Sequence, residues 1–218
     1  MLQNVVSFPG RHHRFEEFRE AARRLAAEKR AASEVVRRLA AMDLATATRF
    51  FSDHASLCTG AVVEGLLDAA RPLPAWRRDD LTAIAVTLAL ALEPKAGNVH
   101  VAATRARAWN ERAAFLLEAA RAAEALDAAT HARRAAGAHA GLGLDAATAA
   151  CHRAEALLLL GRRAAARLAA AEAAVIARDF QHAELLARAR RLQMGQSLRR
   201  WVTTAPASSG GSGHKVDP

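Results

Sequence analysis

The chain has 218 residues, 52% of them apolar, with seven Phe, three Trp and no Tyr. That length accommodates one domain, or one domain with an appended arm. The scarcity of aromatic and β-branched runs points to an all-α fold, and few platforms for stacking bases weigh against single-strand nucleic-acid binding. The formal charge of +9 is unevenly spread: residues 1–50 carry 10 basic against 6 acidic side chains, 51–152 carry 10 against 11, and 153–201 carry 10 against 4. Apart from Lys29, Lys95 and Lys215 the basic residues are all arginine. Arginine pairs bidentately with carboxylate or phosphate, but compositional bias accounts for the same excess without any partner. Cys58 and Cys151 belong to no C-x-x-C unit and are expected as buried free thiols in a reducing compartment. The N-terminus lacks the apolar core of a secretory signal. The stretch "LTAIAVTLALAL" from Leu81 is interrupted by threonine and too short to span a bilayer. A soluble cytoplasmic protein is expected.

Pro9 and Gly10 end a short lead, residues 1–13, expected to be flexible. Residues 14–39 place Phe15, Phe18, Ala22, Leu25, Ala26, Val35, Val36 and Leu39 near one stripe, with charges opposite, which predicts a long amphipathic helix. A second segment at about 43–54 completes an N-terminal amphipathic region over 14–54. A third helix at about 56–70 is stopped by "RPLPAW", because Pro72 and Pro74 cannot sit inside a helix. Asp79 or Asp80 is expected to cap "LTAIAVTLALALE", which ends at "PKAGN". Helices follow at about 99–117 and 122–136, then a break at "GAHAGLG". Asp145 is expected to cap "AATAACHRAEALLLL", Gly161 to turn the chain, and "RRAAARLAAAEAAVIARDF" to form the next helix. A last helix is expected over about 181–201, followed by a disordered tail over 202–218. Helices joined by such short turns suggest helical hairpins stacked in sequence. With so much alanine, close approach rather than side-chain bulk must hold them together.

Trp109 is followed by Ala113 and Leu116, then by Ala125 and Ala132. Further on come Ala154, Leu157, Gly161, Ala166 and Ala173. The small residues mark places where two helices cross with room only for a methyl group. From Ala125 to Ala166 is 41 residues, against a repeat period of about 34, the difference fitting the insertion "GAHAGLG". Arg112 departs from the usual Leu, no Gly marks the turn near Ala120, and Gly137 stands near the usual Pro. The region resembles tetratricopeptide-repeat (TPR) proteins, with two repeats between about 101 and 179. The preceding "CTGAVVEGLLDAARPLPAWRRDDLTAIAVTLALALE" is similar to the degenerate helical pair that precedes such repeats in bacterial regulatory proteins. The resemblance implies an all-α fold in which antiparallel helical hairpins stack as a short TPR-like α-solenoid over 55–201, closed by a C-terminal capping helix. It further implies a concave groove lined by Arg107, Asn110, Leu117, Glu118, Cys151, Glu155 and Leu158. Arg107 and Asn110 would supply donors for a peptide carboxylate or backbone.

Chemistry that would mark an enzyme is scarce. His12 and His13 are adjacent, His131 and His139 are too far apart for one ion on a straight helix, and Cys151 and His152 point to different faces. No HExxH, paired C-x-x-C or phosphate-binding loop occurs, so no metal or other cofactor is expected. His54 stands four residues before Cys58 and could approach it on a helix, the one nucleophile–base pairing in view. Trp76 and Trp201 each adjoin two arginines, readable as helix-end anchors or as a cation–π patch.

The expectation is a non-enzymatic protein-interaction scaffold or adaptor in bacterial regulation, binding a protein or peptide partner, an acidic one among the candidates. The alternative is an Arg-rich helical nucleic-acid-associated regulatory protein in which residues 14–50 and 181–201 contact phosphates, the latter through a basic surface of Arg188, Arg190, Arg191, Arg199 and Arg200.

Overall fold

The computed structural model describes residues 10–92, 99–137 and 139–196. The chain before Gly10, the tail over 202–218, and Arg199, Arg200 and Trp201 lie outside them. The described residues are all-helical: α1 (Gly10–Leu39), α2 (Leu44–Asp53), α3 (Gly60–Ala70), α4 (Ala75–Ala91), α5 (Val99–Glu118), α6 (Ala122–Gly137), α7 (Gly143–Leu159), α8 (Arg163–Asp179) and α9 (Ala183–Gln193). Helix α1 starts at Gly10, so part of the expected lead is helical.

Local chemistry sets most boundaries. Asp43 caps α2 by accepting from the Thr46 amide at 2.7 Å, and Thr59 caps α3 by accepting from the Val62 amide. Helix α3 ends at Ala70, just ahead of Pro72. Pro74 takes the N-cap position of α4, where its missing amide costs nothing. The helix therefore starts earlier than expected, and Asp79 and Asp80 lie inside it instead of capping it. Helix α7 likewise starts at Gly143, leaving Asp145 in its first turn.

Four helices end in the same left-handed turn. Amides of Arg121, Arg162, His182 and Gln196 reach back to the carbonyls of Leu116, Leu157, Ala177 and Arg191 at 2.8–3.0 Å. The left-handed residue is Ala120, Gly161, Gln181 or Gly195, with φ of 57°, 74°, 54° and 75°. The turn at Ala120 thus forms without the glycine that the sequence lacks there. Gly195 ends α9 at Gln193, well short of the helix expected to run to about residue 201.

The apolar core changes character along the chain. Among α1–α4 it is built from Leu39, Leu66, Leu81, Ile84 and Leu88. From α5 onward it is mainly alanine, and Ala113, Ala125, Ala132, Ala154, Ala166 and Ala173 are all fully buried. Trp109 packs against both the N-terminal core and the α5–α6 core, with its ring stacked on His131 at 4.5 Å. From α3 on, each helix packs on the next in sequence. In addition α1, α3, α5, α7 and α9 touch in that order.

Arginines latch the N-terminal helices to α5 and α6. Arg105 donates to the carbonyls of Ala89, Leu90 and Leu92 at 2.5–3.1 Å, occupying the open end of α4. Asp79 accepts from both Arg112 and Arg121, the latter at 2.7 Å. Arg78 pairs with Glu118, and the guanidinium groups of Arg78 and Arg112 lie 5.7 and 5.6 Å from the Phe115 ring centre. These four arginines, all from the near-neutral segment 51–152, are therefore committed inside the fold.

Candidate partner-binding face

Successive contact among the odd-numbered helices leaves three hollows on the face they share. The first, about 1090 Å³, lies between α1, α3 and α5 and includes Ser33, Glu64, Asp68, Thr104 and Arg107. The second, about 360 Å³, lies between α5 and α7 and is lined by Arg107, Asn110, Glu111, Ala114, Asp145, Thr148 and His152. The third, about 570 Å³, lies between α7 and α9 and includes Thr148, His182, Glu184, Arg188 and Arg191. Arg107 borders the first and second, and Thr148 borders the second and third. The hollows are consequently neighbours in one furrow.

The spacing of the lining residues explains why they share this face. Glu64 and Asp68 on α3, Arg107, Asn110, Glu111 and Ala114 on α5, and Asp145, Thr148 and His152 on α7 recur three or four positions apart. This i, i+3, i+4 stripe was available in the sequence as the signal for Glu64, Asp68, Glu111, Asp145 and Thr148, which the count from Trp109 passed over.

The residues expected to line a groove divide. Arg107 and Asn110 do line the furrow, and Arg188 and Arg191 border its α9 end. Leu117 and Cys151, 2% and 0% exposed, belong to the core instead. Leu117 packs among the α5–α6 residues and Cys151 among those of α7–α9, because a helix packed on several neighbours buries more than one of its faces. Leu158 is half-buried against the same α7–α9 core. Glu155 is buried and accepts from Arg188 at 3.0 Å. Glu118 is exposed and held by Arg78. Arg190 is exposed on α9.

The donors expected for a peptide carboxylate are already engaged. Arg107 pairs with Glu64 at 2.5 Å and lies 3.9 Å from Asp68. Asn110 gives its Nδ2 to the Asp145 carbonyl at 3.1 Å. Acceptors are in excess. Asn110 Oδ1 is buried with no donor, an arrangement that costs about 1–3 kcal/mol. The Asp145 carboxylate makes no ion pair or side-chain hydrogen bond among the described residues. Burial pushes the Asp145 carboxyl above the usual range, against the pull of Arg107. Burial also raises Glu64 despite Arg107.

The other chemistry considered from sequence is arranged differently. Helix α2 ends at Asp53 and a 3-10 turn, Ala55–Leu57, separates His54 from Cys58, so the two do not share an α-helix; the His54 ring stacks on Phe50 at 4.6 Å, with Nδ1 2.9 Å from the Phe50 carbonyl. Burial raises the Cys58 thiol, and pushes the Cys151 thiol up to about 11. Among the described residues no group of three or more His, Cys, Asp or Glu could hold a metal ion, and no helix is long and apolar enough to cross a membrane. Trp76 is 70% exposed, but its arginine neighbours turn away, Arg77 to Asp80 and the Ala40 carbonyl, Arg78 to Glu118. No protein-family model, curated protein or solved structure matches the chain.

Proposed function

We propose that the protein is a non-enzymatic scaffold of stacked helical hairpins, TPR-like in arrangement, that binds a peptide segment of a protein partner along the face shared by α1, α3, α5, α7 and α9. The observation that carries this reading is the furrow itself, three hollows joined through Arg107 and Thr148. An extended peptide suits such a surface, because side chains enter successive hollows while polar groups between them meet its backbone. Support for the hairpin arrangement comes from the left-handed turns at Ala120, Gly161 and Gly195, spaced by 41 and 34 residues, the second spacing being about one TPR period. The fully buried alanines at the crossing positions support it further.

Panning a random-peptide library on the full chain, then on Ala114→Trp, tests the reading. Ala114 lines the α5–α7 hollow, so an indole there fills the furrow. Enrichment of related peptides on the wild type and its loss on the variant, with helicity retained, is the expected result. Equal enrichment on both, or none on the wild type, overturns it.

A further inference from the structure

Helix α1 is far longer than its support. Its 30 residues run about 45 Å, and the 11 residues of α3, on which it packs, run about 16 Å. Along α1, Ala32 is the first residue described as buried, and Arg19, Glu20, Arg23 and residues 26–31 are exposed. One pattern nevertheless repeats along the whole helix. Positions 15, 18, 22, 25, 29, 32, 36 and 39 alternate spacings of three and four, and all but Lys29 are apolar. These are the a and d positions of a coiled coil. The last three serve the fold, since Ala32 and Leu39 are buried and Val36 packs against the same core. Phe15, Phe18, Ala22 and Leu25 continue that seam beyond the reach of α3. Lys29, a polar a position, separates the two halves.

The residues flanking the seam decide what fits it. With position 15 as a, the g positions of this stretch are Arg14, Ala21 and Glu28, and the e positions are Arg19 and Ala26. A second copy laid parallel sets Arg14 against Arg19, like charge against like. Laid antiparallel about position 20, it sets Phe15 against Leu25 and Phe18 against Ala22, large against small, and Arg14 against Glu28. Two-fold symmetry makes each of these pairs twice, which outweighs the single meeting of Arg19 with Arg19 at the axis. Four Phe side chains at about 150–250 Å² each remove about 600–1000 Å² from water. With the two Leu25 side chains the total reaches the ~1,000 Å² that a specific interface needs. We propose that residues 14–28 of α1 are a homodimerisation arm, which pairs antiparallel with the same stretch of a second copy of this chain. The pairing does not depend on the peptide-binding reading.

Analytical ultracentrifugation of the full chain over a range of concentrations tests the arm, and a reversible monomer–dimer equilibrium is expected. Phe15→Glu with Phe18→Glu puts charge into the seam and should weaken association by at least about tenfold, with the melting temperature kept because the arm lies outside the core. Arg14→Glu and Glu28→Arg should each weaken it by about three- to tenfold, and the two together should restore it. Arg14 and Glu28 stand 14 positions apart, about 21 Å along one helix, so a rescue acts only between copies. A monomer at every concentration overturns the proposal and leaves the seam to a different partner. A dimer indifferent to Phe15→Glu with Phe18→Glu overturns it by placing the contact elsewhere. Charge variants that do not rescue one another, or Arg14→Glu strengthening association, overturn the antiparallel register on which it rests.

Discussion

Replacing Asp79 by Asn removes the charge on which α4, α5 and the α5–α6 turn converge. Asp79 holds Arg112 through one carboxylate oxygen and Arg121 through the other, and their side chains are 35%, 14% and 34% exposed. An exposed pair contributes at most about 1 kcal/mol, whereas breaking a fully buried pair costs about 3–5 kcal/mol. This intermediate site, with two partners, should lose about 2 kcal/mol. Arg112 would keep its bonds to the Asp79 carbonyl and Thr82 Oγ1 at 2.8 and 2.9 Å, which stops the loss from reaching the buried limit. In a chain of this size about 2 kcal/mol lowers the melting temperature by about 4–8 °C. Burial alone would raise the Asp79 carboxyl, but hydrogen bonds from Arg112 and Arg121 outweigh it and hold the group below its usual value. A depressed carboxylate contributes stability above its unfolded pKa of about 3.9 and loses it as pH falls through the folded value. Urea unfolding followed by circular dichroism should show the full deficit of Asp79→Asn at neutral pH and a shrinking one as the pH falls below the ordinary carboxylate range. A deficit under about 0.5 kcal/mol at neutral pH, or one unchanged in acid, refutes the joint.

Ala113→Leu and Ala166→Leu should each cost about 1–3 kcal/mol in denaturant melts, because both methyl groups are fully buried and the added atoms must displace neighbours; two neutral results would mean the crossing points lie elsewhere. Ala120→Gly should stabilise by about 0.5–1 kcal/mol, since Ala120 occupies a left-handed position at φ 57° that glycine takes without strain; no gain in the same melts refutes this. Asp145→Asn should match or exceed wild-type stability at neutral pH. A raised carboxyl contributes stability below its unfolded pKa and loses it as pH rises through the folded value, so the Asn form escapes a penalty that the wild type bears. Thiol titration of the native protein at mildly alkaline pH should label Cys58 well before Cys151, whose thiol is buried and raised to about 11; simultaneous labelling contradicts the burial.

What the sequence revealed followed from local chemistry. Pro72 and Pro74 stopped a helix because the restriction is built into the residue, and the alanines at 113, 125, 132, 154, 166 and 173 stood out because their spacing requires small side chains. The rotation of each helix about its axis was less accessible. Counting from Trp109 gives a face only if one side is buried, but Trp109 itself bridges two cores, and Leu117 and Cys151 fell on sides that neighbouring helices cover. Contacts distant along the chain were invisible for another reason. Arg133 finds Glu172 on α8 at 2.6 Å and Arg71 finds Glu111 on α5, and nothing in either partner's sequence surroundings announces the other. Arginines of the near-neutral middle of the chain therefore read as surface charge where they serve internal bonding. Asp145 looked like a cap, because an acid near a helix start has that simpler use. In the fold it lies in the first turn of α7 and lines the α5–α7 hollow, a placement that depends on how α5 and α7 pack.

The most direct test of a partner-binding face is a methyl NMR map of alanine-labelled protein titrated with the tightest peptide from the library. Ala114, on the furrow side of α5, should shift strongly, and Ala171, between the exposed Leu168 and Val175 of α8, should stay still. Saturable shifts centred on α8, with Ala114 unmoved, would place the partner on the opposite side and contradict the account.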